Sequence, residues 1–489
     1  MNDYCLGKLL LEMKKNYVDQ PVFQLAKTED KLCNIMYSDF LSDLCINVDK
    51  VTQFNAKRIA IIGHNSYEWI INTLSLLLAG KTLILMNPDL DDEDILHLLE
   101  YADVECALLP QNMQEEFRFI EKRIRTEYFG DREETKKNII GEEKMLAQLP
   151  IKESEFLCFT SGTSKSSKGV VINTEMLMKH VLLVQKEAIL PFRSKERIFM
   201  PLPLYHIYGL TFLFHIMTMG STFCLVDSPR HLVRDAALMK PHCALLVPSM
   251  IEVLFRKSDL MPELHTVISG GGSCRKEQAD LVRSKNVNFL NGYGSSESIA
   301  MVLLGRSNMD EQWMKPLSCV QCEVSNEGEL LICSPYHFKE YYKKPEDTRL
   351  TLEGDIIHTG DAACMNEQGF VRIMGRLRDT IVMENGEKIH AEDMDSMLTS
   401  LEGVQEAAIV YSSKLGLTAV IVPESMGQEE RIREKIALYN KNTGFLLRIR
   451  HIWCRIEKLP RTTTGKLKRF QLEKEYELLM EGRTFEKKR

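Results

Sequence analysis

The sequence lacks the features that mark membrane, secreted and nucleic acid-binding proteins. No run reaches the roughly 18 apolar residues of a membrane-spanning helix, and the start of the chain has no long apolar stretch typical of a signal peptide. The 62 Lys and Arg residues are outnumbered by 69 Asp and Glu residues, which argues against a nucleic acid partner. The 13 cysteines are scattered, without a Cys/His cluster at zinc-binding spacing. We therefore expect a cytoplasmic protein with free thiols and no transmembrane segment.

The pattern of apolar residues predicts an α/β protein with more than one domain. A chain of 489 residues is too long for a single ordinary core. Buried strands at Arg58–Gly63 and Lys81–Met86 enclose an apolar helix from about Tyr67 to Ala79, an order typical of mostly parallel sheets. The charged stretch Gln111–Lys152 is poorly patterned, which is compatible with a helix or with a surface insertion. We expect one domain at 1–377 and a compact α+β domain at 378–489.

A loop rich in Gly, Ser and Thr gives the strongest local signal. Phe159–Gly169 reads FTSGTSKSSKG and lies between the strand-like segments Phe156–Cys158 and Val170–Ile172. Backbone N–H groups, hydroxyls and ammonium groups in such a loop are the groups that bind polyphosphate. The spacing is not that of a Walker A loop, and a flexible hairpin turn explains the string equally well.

Three further strings carry residues suited to nucleotide chemistry. Gly292–Glu297 offers close backbone approach, an aromatic ring and a carboxylate suited to Mg²⁺. Asp361 follows a strand, where a carboxylate can accept hydrogen bonds from ribose hydroxyls. Pro460–Lys466 could deliver one cation to a reacting phosphate group. Taken singly, each string is also typical of an ordinary turn or of a basic tail segment.

In their order along the chain, these strings resemble the motifs of the adenylate-forming superfamily, which comprises acyl-CoA synthetases, luciferases and peptide-synthetase adenylation domains. The resemblance extends from about Ala60 to Phe470. It includes further stretches that match the family's acyl-pocket motif, its adenine-side turn, the segment before the TGD motif, the hinge and the loop after the hinge: Pro201–His206, Ser269–Gly272, Tyr341–Thr348, Gly375–Asp379 and Asn385–Ile389.

The resemblance implies a large N-terminal multi-sheet α/β domain with a small mobile C-terminal α+β lid. It also implies that ATP and Mg²⁺ are bound, that an acyl-adenylate forms with release of pyrophosphate, and that a thiol then takes the acyl group. The implied nucleotide contacts are Thr160, Ser161, Gly162, Thr163, Ser164 and Lys168 for pyrophosphate; Gly270, Gly271, Gly272, Tyr293 and Gly294 around adenine; Ser296 for the α-phosphate; and Asp361 and Arg376 for ribose. The implied roles outside nucleotide binding are Glu297 for Mg²⁺, Lys466 for catalysis, His206 in the acyl pocket, Arg378 at the hinge and Gly386 at the thiol tunnel.

Two positions depart from the family loop TSG[ST]TGxPKG. Lys165 stands at the second glycine and Ser167 at the proline. A lysine at a position with positive φ would cost about 1 kcal/mol or more. This departure is the one feature that favours a catalytically impaired sensor that binds an acyl or nucleotide ligand.

The acyl-pocket stretch argues against an amino acid substrate. Tyr205–Leu210 contains no carboxylate that could pair with a substrate ammonium group. The segments Leu202–His206 and Ile381–Gly386 resemble the long-chain fatty acyl-CoA synthetases, so we expect a fatty or other apolar acid. Leu210–His215 could line an apolar channel or form an ordinary core helix. The expected acceptor is coenzyme A, with the phosphopantetheine arm of a separate carrier protein as the alternative.

Overall fold

The structure is a computed structural model of the 489-residue chain. It describes residues 6–28, 31–130, 154–160, 167–187, 189–256, 260–306, 310, 312–377, 380–382, 388–412, 416–441, 443, 448–461 and 467–480. The chain forms two compact units. The first unit comprises Met1–Gln321 with Ile332–Ile357, and the second comprises Cys322–Leu331 with His358–Arg489.

The strands are β1 Pro21–Thr28, β2 Lys31–Met36, β3 Arg58–Ile62, β4 Thr82–Met86, β5 Cys106–Pro110, β6 Arg125–Phe129, β7 Glu155–Phe159, β8 Gly169–Asn173, β9 Arg197–Phe199, β10 Thr222–Leu225, β11 Cys243–Leu246, β12 Thr266–Ser269, β13 Asn288–Ser295, β14 Ala300–Gly305, β15 Trp313–Pro316, β16 Gln321–Val324, β17 Glu329–Cys333, β18 Glu340–Tyr341, β19 Leu352–Glu353, β20 Ile356–Met365, β21 Val371–Arg376, β22 Thr380–Val382, β23 Lys388–His390, β24 Val404–Ser412, β25 Gly416–Pro423 and β26 His451–Cys454.

The α-helices are α1 Leu6–Tyr17, α2 Tyr37–Thr52, α3 Tyr67–Leu78, α4 Asp92–Tyr101, α5 Arg118–Glu121, α6 Thr174–Lys186, α7 Ile207–Thr218, α8 Leu232–Met239, α9 Pro248–Phe255, α10 Lys276–Arg283, α11 Pro345–Thr351, α12 Ala391–Thr399, α13 Glu429–Lys441 and α14 Arg469–Met480. Short 3₁₀ turns occur at Gln111–Met113 and Pro229–His231. In the part of the chain that the structure describes, no helix has the length and apolar composition needed to cross a membrane.

The first unit contains a sheet with strand order β18-β8-β7-β4-β3-β5-β6. Its central strands β3 and β4 pair in parallel and are almost wholly buried, as expected for strands that are covered on both faces. Helix α3 begins where the side chain of Ser66 accepts a hydrogen bond from the Trp69 N–H, which satisfies one of the unpaired donors at the helix start. The predicted strand at Arg58–Gly63 and the following helix are therefore confirmed.

A second run of strands in this unit has the order β15-β14-β13-β12-β11-β9-β10-β1-β2. The strands from β13 to β1 in this order pair in parallel, with antiparallel partners at both ends. Because they are parallel, their carboxyl ends meet at one edge, which is where α/β sheets carry ligand sites. The turns after β12 and within β13, predicted to bind a nucleotide, lie at this edge.

The second unit contains the strand order β16-β17-β20-β21, the hairpin β22-β23 and the sheet β24-β25-β26. Strand β25 pairs antiparallel with β24 and parallel with β26. One apolar cluster, which includes Leu398, Ile409 and Ile432, packs α12 and α13 against this sheet. Another includes Val420 and Leu472 and packs α14 on it. This architecture confirms the predicted mixture of α and β structure.

The structure differs from the sequence prediction in one strand of the first sheet and in where the two units divide. The charged stretch after Gln111 contains an additional strand, because β6 pairs in parallel with β5 and extends the first sheet. The sequence does not predict this strand, because its residues RTEYF have no regular apolar alternation and only Phe129 is buried. The second compact unit takes in Cys322–Leu331 and then continues from His358, which is earlier than the predicted boundary at 377/378. That boundary marks the expected hinge of a moving lid and stays a prediction.

Candidate active site

The base of the predicted phosphate loop is a tight hairpin. Strands β7 and β8 are antiparallel, with Phe159 opposite Gly169. The Thr160 N–H donates to the Lys168 carbonyl at 3.0 Å, and the Lys168 N–H donates to Thr160 Oγ1 at 3.1 Å. The Ser167 hydroxyl closes the turn by donating to the Thr160 carbonyl at 3.1 Å. The serine that stands at the family's proline position therefore fixes the loop base through a hydrogen bond.

The remaining loop residues lie outside the described part of the chain. They are Ser161, Gly162, Thr163, Ser164, Lys165 and Ser166. The predicted catalytic Lys466, the hinge residue Arg378 and the tunnel residue Gly386 also lie outside it. Their roles stay predictions.

Lys168 is held by an acidic and an aromatic neighbour. Its Nζ lies 3.3 Å from Asp347 Oδ2 and 4.4 Å from the centre of the Tyr341 ring. Both neighbours come from the YYKKPEDT stretch, since Tyr341 ends β18 and Asp347 lies in the first turn of α11. The ammonium group is thus directed by two contacts and remains about one third exposed. The sequence predicted that Tyr341–Thr348 is part of the family pattern, but not that it positions Lys168.

The carboxylate predicted to hold Mg²⁺ belongs to the same cluster. The hydroxyl of Tyr341 donates to Glu297 Oε1 at 2.5 Å, and the Phe338 N–H donates to the Glu297 carbonyl at 2.8 Å. Burial, together with the Glu297 charge, raises the pKa of Tyr341, so the phenol keeps its proton. The neighbouring Ser296 is buried beside Cys158, whose pKa burial raises to about 12. One oxygen of Glu297 is therefore engaged, and the other accepts no hydrogen bond from the described residues. A free carboxylate oxygen of this kind is suited to a hard cation.

The two strings predicted to flank adenine are adjacent in space. Gly270 follows Ser269, which lies opposite Asn291 in the parallel pair β12–β13, two residues before Tyr293. Gly271 has φ +77°, a conformation that favours glycine. A Cβ on Gly270 would lie 2.8 Å from the Tyr208 hydroxyl, so only glycine allows this approach. Gly272 and Gly294 continue the same two segments.

Asp361 and Arg376 form a pair within the second unit. They lie opposite each other on β20 and β21, with Arg376 Nε 3.0 Å from Asp361 Oδ1. Arg376 Nη1 also donates to the Thr359 carbonyl at 3.1 Å. Asp361 is buried, and its own N–H donates to Thr359 Oγ1 at 3.0 Å. The two residues predicted to bind ribose are therefore partners of each other.

His206 begins α7. Its Nδ1 accepts a hydrogen bond from the Tyr208 N–H at 3.3 Å, and its backbone N–H donates to the Pro203 carbonyl at 3.2 Å. The imidazole caps the helix, which orients the acyl-pocket motif relative to the helix behind it.

One face of α7 carries polar atoms that the sequence prediction did not use. Tyr208, Thr211 and His215 are spaced by three and four residues and share a helix face. The Tyr208 and Thr211 hydroxyls and both His215 ring nitrogens are buried, with no hydrogen-bond partner among the described residues. A buried polar atom left unpaired costs about 1–3 kcal/mol. Any group that supplied polar partners to these atoms would therefore stabilise this face.

His180 of α6 extends this polar face. Its ring lies 5.9 Å from that of His215 and 6.1 Å from that of Tyr336, measured between centroids. Burial lowers the pKa of His180 to about 4, an effect that the Met301 backbone opposes. Burial and the neighbouring His180 lower the pKa of His215 as well. Neither ring of this pair makes a hydrogen bond of normal geometry within the described residues, and both are neutral near pH 7.

The hairpin at Thr160 and Lys168, the Glu297 carboxylate beside it and the glycine turns at the carboxyl edge of a parallel sheet are the arrangement expected of an adenylate-forming enzyme. The chain belongs to the AMP-binding enzyme family, whose model matches residues 54–342. The predicted superfamily is confirmed, and so is the enzyme class, an AMP-forming acid–thiol ligase. The fatty acyl branch of the superfamily is not confirmed.

Curated relatives and solved structures agree with this family over nearly the whole chain. A 2-succinylbenzoate–CoA ligase of Bacillus cereus is 24% identical over 504 residues, covering 95% of this chain and 98% of the relative. The crystal structure of the anthranilate CoA ligase AuaEII with anthranoyl-AMP matches with a TM-score of 0.83 at 17% identity, over 98% and 99% of the two chains. A benzoate CoA ligase from Burkholderia xenovorans LB400 matches with a TM-score of 0.80 at 17% identity, over 96% and 100%.

Proposed function

We propose that the protein converts an aromatic carboxylic acid to its acyl-adenylate with ATP and transfers the acyl group to coenzyme A. The names of similar proteins support the aromatic class, since they are ligases for 2-succinylbenzoate, anthranilate and benzoate. This proposal replaces the fatty acid expected from the sequence. The similar proteins give no support to a carrier protein as the acceptor. Membership of a family of enzymes argues against a sensor without enzyme activity.

The main support for an aromatic substrate with polar groups is the polar face of α7. An alkyl chain against Tyr208, Thr211 and His215 would leave their buried polar atoms unpaired. An aromatic ring packs well against Tyr208 and Phe212, whose own rings meet edge to face at 5.1 Å. A second polar group on the acid would satisfy the hydroxyls or imidazoles. We therefore propose an aromatic acid that bears a second hydrogen-bonding group.

The residues of the first unit fit ATP with Mg²⁺. Lys168 offers an ammonium group beside the loop base, and Glu297 offers a carboxylate oxygen of the type Mg²⁺ prefers. Bound Mg²⁺ would neutralise phosphate charge that otherwise repels the substrate carboxylate. In this proposal Thr160 and Lys168 bind pyrophosphate, together with the loop residues Ser161, Gly162, Thr163 and Ser164.

Other residues contact adenine, the α-phosphate and ribose in this proposal. Tyr293 stacks on adenine, with Gly270, Gly271 and Gly272 on the other side, and Ser296 donates to the α-phosphate. Asp361 accepts hydrogen bonds from ribose, with its carboxylate oriented by Arg376. Lys466 supplies a positive charge to the carboxylate and α-phosphate during adenylation. His206 borders the acyl group.

The chemistry proceeds by two displacements. The acid's carboxylate oxygen forms a bond to the α-phosphorus as the bond to pyrophosphate breaks. The thiolate of coenzyme A then attacks the acyl carbon, and AMP leaves with the electron pair of the carbon–oxygen bond. AMP is a far better leaving group than oxide, which is why the first step is needed.

ATP–pyrophosphate exchange without a thiol tests the first step. The panel contains benzoate, anthranilate, 2-succinylbenzoate, palmitate and phenylalanine, each at several concentrations. We expect exchange with the aromatic acids that carry a second polar group, and a thioester product when coenzyme A is added. Exchange that is stimulated best by palmitate would contradict the proposed substrate class, and exchange without thioester formation would contradict the acceptor.

A further inference from the structure

We propose that Glu196, Cys243 and His265 form a binding site for a zinc-type divalent cation. One ligand atom from each residue lies within 4.8 Å of the other two. Cys243 Sγ is 3.8 Å from Glu196 Oε2 and 3.8 Å from His265 Nε2. His265 Nε2 is 3.1 Å from Glu196 Oε1. The site is independent of the proposed ligase function.

The separations match one triangular face of a tetrahedral zinc site. With a Zn–S bond of about 2.3 Å and Zn–N and Zn–O bonds of about 2.1 Å, tetrahedral angles put ligand sulfur about 3.6 Å from nitrogen and oxygen. The same geometry puts ligand nitrogen about 3.4 Å from oxygen. The sulfur–nitrogen separation differs from this geometry by only about 0.2 Å. The sulfur faces Glu196 Oε2 and the nitrogen faces Glu196 Oε1, so a small rotation of the carboxylate would let one or both oxygens contact the ion. The His265 side chain is 45% exposed, so solvent can provide the fourth ligand.

The backbone of this region holds the three residues in place. Glu196 immediately precedes β9, Cys243 begins β11, and His265 immediately precedes β12, and these strands are neighbours in the parallel sheet. The His265 N–H donates to the His242 carbonyl at 2.9 Å, and the Thr222 N–H donates to the Glu196 carbonyl. The site is thus built on strand ends, which favours precise ligand placement.

A hydrogen bond to Thr266 leaves the required nitrogen of His265 available for a metal. His265 Nδ1 lies 2.9 Å from the Thr266 hydroxyl oxygen, to which it can donate its hydrogen. Its Nε2 is then an acceptor that faces Cys243 and Glu196. Histidine ligands of metals commonly donate their other ring N–H in this way.

The local charges permit a divalent ion. On binding, the Cys243 thiol loses its proton to solvent as the Sγ–metal bond forms, and the thiolate and the Glu196 carboxylate together balance the ion's two charges. The nearby Arg197 guanidinium is already paired, since its Nη2 donates to Glu263 Oε2 at 2.5 Å and to the Lys240 carbonyl at 2.7 Å.

The cluster lies apart from the candidate active site. His265 precedes the amino end of β12, whereas the Gly270–Gly272 turn follows the carboxyl end of the same strand. Replacing His265 therefore removes a proposed metal ligand without touching the nucleotide-binding residues. A second cluster, Asp227, His231 and Asp235, lacks sulfur and provides a matched control.

The test is a Co²⁺ titration of the full chain after chelator treatment, read from the thiolate-to-cobalt charge-transfer absorption in the near ultraviolet. This absorption reports sulfur ligation, so Mg²⁺ or Co²⁺ at the phosphate site does not mimic it. We expect a band that saturates at one equivalent and that Zn²⁺ abolishes by competition. We expect H265Q to weaken Co²⁺ binding beyond the roughly 10–100-fold typical of losing an outer-shell partner. C243S should lose the band, and H231Q should keep it.

Two results would overturn the site. One is a wild-type protein that shows no charge-transfer band with Co²⁺. The other is an H265Q protein that keeps the wild-type band and affinity. If the buried C243S variant does not fold, H265Q alone decides, because its side chain is exposed. Unchanged pyrophosphate exchange with Mg²⁺ in H265Q is the check that the active site is intact.

Discussion

Asp361 and Arg376 face each other across two antiparallel strands, and the Arg376 Nε lies 3.0 Å from Asp361 Oδ1. Asp361 is buried, whereas the Arg376 side chain is about one third exposed. The contact fixes the direction of the Asp361 carboxylate. A residue predicted to bind ribose is therefore oriented by a second residue predicted to bind ribose.

Replacing Asp361 by asparagine should weaken ATP binding with little change in the maximal rate of adenylation. A hydrogen bond to a charged group contributes about 1.5–3 kcal/mol, which corresponds to a roughly 10–100-fold rise in the KM for ATP. The measurement is pyrophosphate exchange at saturating acid with ATP varied.

The control for this change is D280N, which removes an exposed carboxylate on α10. It should leave the KM for ATP at the wild-type value. An unchanged KM in D361N would show that Asp361 does not contact the nucleotide.

Glu297 and Tyr341 make a second testable pair. The phenol donates to Glu297 Oε1 at 2.5 Å, so it reduces the negative charge that the carboxylate can offer to a cation at its other oxygen. We expect Y341F to lower the Mg²⁺ concentration that gives half-maximal exchange by about tenfold, because a hydrogen bond to a charged group contributes about 1.5 kcal/mol or more. Phenylalanine keeps the ring beneath Lys168, so the cation–π contact is conserved.

The matched variant is E297Q, which removes the negative charge and keeps the shape. We expect exchange to fall about 100-fold or more, the range seen when one electrostatic stabiliser of a transition state is lost. If E297Q kept wild-type activity, or if Y341F raised the Mg²⁺ requirement, Glu297 would not be the metal ligand.

The sequence predicted the strands and helices whose residues have a clear local pattern of apolar side chains. The buried run Arg58–Ile62 and the apolar helix after it have periodicities that leave few alternatives. The pairing of His180 with His215 could not be predicted, because the residues lie on different helices and each looks like an ordinary core position. The Lys168–Asp347 contact depends in the same way on the tertiary fold that joins β8 to α11.

The histidine pair yields a prediction about specificity. Replacing His215 by leucine should lower kcat/KM for 2-succinylbenzoate by about 10–100-fold, because a substrate group that bonds to the imidazole loses its partner. The value for benzoate, which has no second polar group, should change less than about threefold. Parallel thioester assays with the two acids measure the ratio.

The control is F214L on the same helix, where the side chain is also buried but carries no polar atom. It tests whether a change in side-chain volume is enough to shift the ratio. Equal losses for both acids in H215L, or the same ratio in F214L, would contradict polar recognition by His215.

Burial of His180 also predicts how stability depends on pH. Its folded-state pKa is lowered from 6.5 to about 4, so the unfolded chain binds a proton that the folded chain excludes. Stability from this group is complete above pH 6.5 and is lost as the pH falls toward 4, by about 3 kcal/mol in total. Urea unfolding of wild type and H180L at several pH values measures how steeply the free energy of unfolding depends on pH.

We expect H180L to lose less stability than wild type over this range. The control H231L, which removes a more exposed histidine, should follow wild type. Parallel wild-type and H180L curves would show that His180 takes up its proton without unfolding.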